Sequence, residues 1–126
     1  MKDSQESLHE PISSFIGEKA SFTGEFVLEG SIRIDGVFSG KILSESKVIV
    51  GKTGHVKTNI QAKIVVVAGK VDGNIYALES VHLLESAKVY GDIISANLTM
   101  DDGVVFEGRA RINKQITSPE FFSSGA

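Results

Sequence analysis

The chain has 126 residues, a formal net charge of −3 and 41% hydrophobic residues, which fits one globular domain and excludes a disordered body. The negative net charge also excludes a sequence-wide attraction to nucleic acid, and the absence of cysteine excludes disulfide bonds, thiolate metal sites and a cysteine nucleophile. The first ten residues include three acidic side chains and lead into no apolar run, unlike a secretory signal. The longest apolar run, residues 64–68, falls far short of the roughly 18 apolar residues of a membrane span. We therefore predict a cytoplasmic protein.

Residues 1–13 are predicted to form a short, flexible polar arm, and a five-residue pattern begins at Phe22. Each copy has an apolar residue, a polar residue, Gly or Thr, a polar residue and a second apolar residue. Six copies occupy residues 22–26, 38–42, 56–60, 71–75, 89–93 and 106–110, and they start 16, 18, 15, 18 and 17 residues apart. Such regular self-similarity is the signature of a repeat architecture.

Pairs of apolar residues separated by one residue lie between the copies. They are Ile32/Ile34, Val48/Val50, Ile64/Val66, Val81/Leu83 and Leu98/Met100. Alternation with a period of two predicts β-strands with one buried face. In this frame Ile64 and Val66 point into the core, so we predict that Val65 and Val67 point outward. They are candidates for a lateral contact, and the alternative is that they are ordinary exposed apolar side chains.

A repeat of this length with several short strands is typical of one coil of a parallel β-solenoid. About six coils at a spacing of ~4.8 Å predict an all-β, single-domain rod roughly 30 Å long. A sandwich or barrel also has many short strands, but it does not need glycine at one position of successive units. Five copies have Gly there, with Thr58 as the exception, and we interpret the position as a bend without room for a side chain. The spacing fits a helix of either hand.

Little of the chain is left to cover the two ends of such a rod. Phe22 and Phe26 belong to the first coil, and Phe106, Ala110 and Ile112 belong to the last. Residues 113–126 are predicted to form a flexible tail, too short and too rich in Ser and Pro for a capping helix. Because bare apolar ends favour association, we predict that these five side chains form an end-to-end polymerisation interface. Contact between like ends gives a non-polar filament and contact between unlike ends a polar one, and the residues are compatible with both.

Four features of residues 14–112 resemble a bactofilin. They are Ser14-Phe15-Ile16-Gly17, the heptapeptide GSIRIDG at residues 30–36, the recurring V-x-G-x-I and the final Val105-Phe106-Glu107-Gly108. The resemblance implies a right-handed triangular β-helix over residues 14–112 that polymerises without nucleotide into non-polar filaments. An aromatic residue of the terminal coil that is important for polymerisation in this family matches Phe106.

The same resemblance implies a bacterial cytoskeletal scaffold for cell shape, at the inner face of the cytoplasmic membrane. Its partners would be further copies of itself and cell-wall enzymes or membrane-bound proteins. Many bactofilins begin with a hydrophobic membrane-targeting peptide, whereas this chain begins with the polar MKDSQES. The candidate contacts for a membrane or a partner are Ile12, Phe15, Ile16, Phe121 and Phe122, and the alternative for these side chains is to pack over an open coil.

No pattern indicates a catalytic residue, a cofactor or a metal. His9, His55 and His82 share no ligand spacing, and solvent exposure is their expected state. The tripeptide Gly51-Lys52-Thr53 lacks the upstream glycine of a phosphate-binding loop and is interpreted as a turn between coils. Charges at the fourth motif position have mixed signs, which favours solubility and strand register over nucleic-acid binding. We therefore predict a non-enzyme that binds neither nucleotide nor nucleic acid.

Two rival functions use a similar fold. A left-handed β-helix acyltransferase has coils of similar length, but it needs a strict hexapeptide repeat and a catalytic histidine on a protruding loop. A monomeric solenoid that binds ice needs a regular outward column of threonine, whereas the outward positions here are mixed. The self-assembling scaffold fits the sequence better than either.

Overall fold

Parallel pairing between strands one coil apart builds the structure. The computed structural model describes residues 12–113, in which fourteen strands join one continuous sheet and no helix occurs. The strands are β1 (Ile12–Ile16), β2 (Ser21–Leu28), β3 (Ser31–Ile34), β4 (Val37–Ser44), β5 (Lys47–Val50), β6 (His55–Lys57), β7 (Ile60–Val67), β8 (Lys70–Asp72), β9 (Ile75–Leu83), β10 (Lys88–Tyr90), β11 (Ile93–Ser95), β12 (Leu98–Met100), β13 (Val105–Glu107) and β14 (Ala110–Ile112). The predicted all-β parallel solenoid is confirmed.

Each coil has three faces, named here A, B and C. Face A contains the first halves of β2 and β4, then β6, β8, β10 and β13. Face B contains the second halves of β2 and β4, the first parts of β7 and β9, then β11 and β14. Face C contains β1, β3, β5, the last parts of β7 and β9, and β12. The chain passes through these faces about six times, as predicted, and the right-handed sense stays a prediction.

Two ladders of inward side chains form the core on faces A and B. Face A stacks Phe22, Phe38, Val56, Val71, Val89 and Phe106 in register. Face B stacks Phe26, Ile42, Ile60, Ile75, Ile93 and Ala110 in register. The members in the second to fifth coils are at most 1% exposed, so each contributes about 1.5–3 kcal/mol of hydrophobic stabilisation. Both predicted ladders are confirmed.

The predicted frame of the third coil on face C is wrong by one residue. Val65 and Val67 are fully buried, in register with Val48 and Val50, whereas Ile64 and Val66 are partly exposed. The cause is the corner between faces B and C, because three residues separate Ser44 from Val48 but only two separate Ala62 from Val65. The pairing of β7 with β9 shows the matching shift in register between Ala62 and Ile64. Val65 and Val67 are therefore core residues and form no lateral contact.

The first strand begins inside the segment that was predicted to be an arm. β1 starts at Ile12 and runs parallel to β3, with Ile16 opposite Ile34. Ile16 is only 7% exposed and belongs to the core, so it is not a membrane or partner contact. Phe15 points outward and is 62% exposed, which leaves it available for such a contact. Phe121 and Phe122 lie outside the described residues.

Glycine at the third motif position lets the main chains of neighbouring coils approach closely. Gly40 has a φ of 127°, which L side chains rarely adopt, and a Cβ there would overlap the carbonyl of Gly24. Overlap with the preceding coil would also arise at Gly73, Gly91 and Gly108. The exception, Thr58, donates its hydroxyl to the carbonyl of Gly40. The predicted lack of room is confirmed, and the obstructing group is the main chain of the preceding coil.

Replacing Gly40 with Ala tests this close approach. We expect Gly40→Ala to lower the free energy of unfolding by about 1–3 kcal/mol, because both the backbone strain and the overlap oppose the native coil. Thr58→Ala is the matched control, since that position already carries a Cβ, and it should cost about 1 kcal/mol for one lost hydrogen bond. Urea denaturation followed by circular dichroism at equal protein concentration measures both values. Equal losses in the two variants would contradict the role assigned to glycine.

A lysine placed at two adjacent valines tests the corrected frame. Val65→Lys buries an unpaired charge in the core and should prevent folding or lower the unfolding temperature steeply. Val66→Lys places the same charge on a partly exposed side chain and should leave the unfolding temperature nearly unchanged. Thermal unfolding followed by circular dichroism distinguishes the two variants. A lower unfolding temperature for Val66→Lys than for Val65→Lys would instead support the frame predicted from the sequence, in which Val66 points inward.

Candidate interface at the two ends of the rod

The two ends of the rod consist of strands that pair on one side only among the described residues. At the N-terminal end, β1 lies on face C and pairs with β3, while β2 covers faces A and B and pairs with β4. At the C-terminal end, β13, β14 and β12 occupy the three faces and pair only with the preceding coil. Such edge strands present main-chain N–H and C=O groups to a further strand.

An aromatic cluster lies at the N-terminal end. The ring centroids of Phe22 and Phe26 are 4.4 Å apart, and they lie 5.3 and 5.4 Å from that of Phe38 in the next coil. Phe38 is fully buried, whereas Phe22 and Phe26 are half-buried because no further coil within residues 12–113 covers them. The rings are close enough for favourable aromatic contacts, so the cluster is an ordered apolar surface.

The C-terminal end is apolar and more exposed. Phe106 is half-buried against the core, Ala110 is exposed and Ile112 is 46% exposed. Their equivalents one coil earlier on faces A and B, Val89 and Ile93, are fully buried. The difference in exposure between these equivalent positions shows how much side-chain surface one further coil would cover. The five predicted interface residues therefore lie at the ends of the rod, and their role in polymerisation stays a prediction.

Face C adds two residues to the C-terminal end that the sequence analysis did not assign to the interface. Met100 is 48% exposed and Leu98 is half-buried, although the equivalent Leu83 and Val81 one coil earlier are at most 1% exposed. The sequence contains a signal for these two interface residues, because Leu98 and Met100 form the last apolar pair of the repeat.

A polar ladder holds four coils in register at the fourth motif position. The side-chain oxygen of Asn59 accepts from the N–H of Asn74 at 2.8 Å, and that of Asn74 accepts from the N–H of Asp92 at 2.8 Å. Asp92 accepts in turn from the N–H of Arg109 at 3.1 Å. Arg109 has no side-chain oxygen, so the ladder ends in the last coil. The mixed charges predicted to favour register thus include side chains that bond directly to the next coil.

The histidines and the glycine-rich turn have ordinary local partners. His55 Nε2 lies 2.7 Å from a carboxylate oxygen of Asp72, and His82 Nε2 lies 3.0 Å from one of Asp101, on different faces of the rod. His9 lies outside the described residues. Between β5 and β6, Thr53 donates its hydroxyl to the carbonyl of Asp35 at 2.6 Å. The Gly-Lys-Thr sequence is thus a turn between coils.

Residues 12–113 contain no group of three or more His, Asp or Glu that could hold a metal ion. Over the same range, the chain has no helix that is long and apolar enough to cross a membrane.

The repeat, its glycine position and its end residues match a known family. The family model for bactofilin, described as polymer-forming cytoskeletal, matches residues 14–111. The chain belongs to the bactofilin family. This bactofilin is 32% identical over 96 residues to bactofilin BacO of Myxococcus xanthus strain DK1622, and the match covers 76% of each chain. It is 31% identical over 97 residues to BacP of the same organism, where the match covers 77% of this chain and 40% of BacP.

A solved structure supports the same assignment. The rod matches a chain from the cryo-EM reconstruction of Thermus thermophilus bactofilin double helical filaments with a TM-score of 0.74 at 28% identity. The match covers 79% of this bactofilin and 99% of that chain. The predicted family and fold are confirmed, and the protein is a member of a polymer-forming cytoskeletal family.

Proposed function

We propose that this bactofilin is a scaffold that assembles end to end, without nucleotide, into non-polar filaments in the bacterial cytoplasm. The observation that carries the proposal is the contrast along each core ladder. Equivalent side chains are buried in the interior coils and are half-buried or exposed in the terminal coils. A second rod stacked on an end would supply the missing neighbour on all three faces at once.

Stacking would satisfy two requirements in the same contact. It would remove the apolar surface of Phe26, Phe106 and Met100 from water, which favours association. It would also give the edge strands of each end a partner for their main-chain groups. Since neither requirement involves a phosphate or a metal, assembly should need no nucleotide and no catalytic step.

Like ends are proposed to meet. The N-terminal end offers a cluster of phenylalanine rings, whereas the C-terminal end offers Phe106 with smaller and aliphatic side chains. Contact between like ends is two-fold symmetric, so two different contacts alternate along the filament. The family resemblance supports this arrangement, and the double helical filaments of the Thermus relative support a filament of two paired strands.

The scaffold is proposed to act by holding partners in place instead of by chemistry. Cell-wall enzymes and membrane-bound proteins are the proposed partners, and cell shape is the proposed process. Phe15 is the described side chain best placed for a peripheral membrane or partner contact, because it is 62% exposed on face C. Ile12, Phe121 and Phe122 are proposed to contribute to the same contact.

Variants with one damaged end test the filament and its polarity together. Phe106→Arg places a charge in the C-terminal contact, and Phe26→Arg does so in the N-terminal contact. If like ends meet, each variant keeps one intact contact and should form discrete dimers by analytical ultracentrifugation instead of filaments. Glu107→Arg is the matched control, since Glu107 is exposed beside Phe106 and its variant should still form filaments.

Mixing the two variants separates the alternatives. In a polar filament each variant alone would be a monomer, and dimers would appear only on mixing. In a non-polar filament each variant alone is already a dimer, and mixing leaves the mass unchanged. Wild-type filaments from Phe106→Arg, with an intact β-sheet spectrum, would contradict the proposed end contact.

Nucleotide dependence is tested on the wild-type protein. The critical concentration for sedimentation should be the same with ATP, with GTP and after treatment with a phosphatase. A several-fold change in the critical concentration with either nucleotide would contradict the nucleotide-free mechanism.

A further inference from the structure

The outer surface of face B carries an apolar column. Its members are the outward residues that follow the second apolar residue of each motif, and they pair in register from coil to coil. They are Val27, Leu43, Gln61, Tyr76, Ile94 and Arg111. Val27 is 67% exposed, and Leu43, Tyr76 and Ile94 are half-buried. Four of the six side chains in this column are therefore apolar or aromatic, and Gln61 in the third coil is buried, with 7% exposure.

A groove adjoins this column at the corner between faces B and C. It has a volume of about 310 Å³, and the apolar side chains of Val27, Leu28, Leu43 and Leu78 contribute to its lining. Glu45 and Lys63 line it as well. The surface is thus a concave apolar strip with charges of both signs beside it, which suits a protein surface better than a uniformly charged ligand.

The outer surface of face C is more polar. Its outward column is Phe15, Arg33, Ile49, Val66, His82 and Thr99. The guanidinium of Arg33 pairs with Asp35 at 3.1 Å, and His82 lies 3.0 Å from Asp101. Three of its six members are apolar, namely Phe15, Ile49 and Val66.

The outer surface of face A is polar or charged over its central coils. There His55 lies 2.7 Å from Asp72, and the ammonium of Lys70 lies 5.6 Å from the ring centroid of Tyr90. Face B therefore has the most apolar outward column among the described residues, with four apolar or aromatic members against three on face C.

We propose that face B is the lateral contact through which two filaments of this protein pair, with a second copy of the chain as its occupant. The inference rests on the end-to-end assembly proposed above and names the surface that joins the two strands. Each rod presents the column across five coils, from Val27 to Ile94, so a neighbouring rod laid along it meets apolar side chains at most rungs.

The available area explains why the occupant is another filament instead of a single free rod. One face is about 29 Å long and about 10 Å wide, so pairing two rods would bury on the order of 300 Å² on each. A stable protein pair buries about 800 Å² on each partner, so isolated rods should not pair. Rods already joined end to end repeat the same column in every subunit, and their weak contacts add along the filament. Lateral pairing should therefore follow end-to-end assembly.

The test is the number of strands in a filament. The double variant Leu43→Lys/Tyr76→Lys places two charges in the face B column, and its filaments should have half the mass per unit length of wild type by scanning transmission electron microscopy. The control Ile49→Lys/Val66→Lys places the same two charges on face C at half-buried apolar positions, and its filaments should keep the wild-type mass per length. Both pairs should retain the β-sheet spectrum. If the face B double variant lowers the unfolding temperature, the single variant Val27→Lys, at the most exposed position of the column, is used instead, and its filaments should also have half the wild-type mass per unit length.

Two-stranded filaments in the folded face B variant would overturn the assignment, as would loss of the second strand in the face C control. If the face B variant keeps two strands but no longer floats with phosphatidylglycerol vesicles that wild type binds, the face contacts lipid. If deleting residues 114–126 halves the mass per length while the face B variant does not, the C-terminal segment makes the lateral contact. If the wild-type protein forms no filaments, both the end-to-end assembly and the face B contact are overturned. If the wild-type protein forms filaments and the face B variant forms filaments that still pair, only the face B contact is overturned.

Discussion

In-register stacking of parallel strands is the constraint on which every other feature of this protein depends. Each inward side chain lies over its equivalent in the coils before and after it, so a coil is complete only when it has a neighbour on both sides. Along its whole length the core is enclosed by a single coil. Each core residue is therefore separated from solvent by only one layer of sheet. Within residues 12–113, the interior coils satisfy this condition, whereas the first and last coils do not. The open ends are thus a direct result of how the core is built.

The coil corners absorb variation that the ladders cannot tolerate. Successive motifs start between 15 and 18 residues apart, yet the face A and face B ladders keep their register throughout. The extra residues lie at the corners, as in the turn of Gly51 to Gly54, whose amide hydrogens at both ends bond to nearby carbonyls. A solenoid can therefore change its length per coil without disturbing its core, provided that the change is confined to a corner.

Sequence patterns predicted the ladders on faces A and B because the five-residue motif fixes the distance between them. The same reasoning failed at Val65 and Val67, where a continuous apolar run has no alternation and the shortened corner is visible only in the pairing. Ile16 was listed as a candidate membrane or partner contact because β1 is a lone face C strand that precedes the first motif. The bonds of Asn59, Asn74 and Asp92 to the next coil depend on side-chain geometry, which spacing does not report. The end residues were placed correctly because they are the first and last members of the repeat.

The short separation between paired strands links folding to assembly. Every pairing joins segments about one coil apart in the chain, so each coil can form by adding one strand triplet to an existing edge. The edge left by the last coil has the same main-chain spacing and the same kind of apolar side chains as the edges formed during folding. Growth of a filament would use the same kind of edge between molecules, but where like ends meet the two-fold axis sets the edge strands of the two rods antiparallel. The contact between molecules would therefore differ from a nascent coil in strand direction as well as in belonging to another chain.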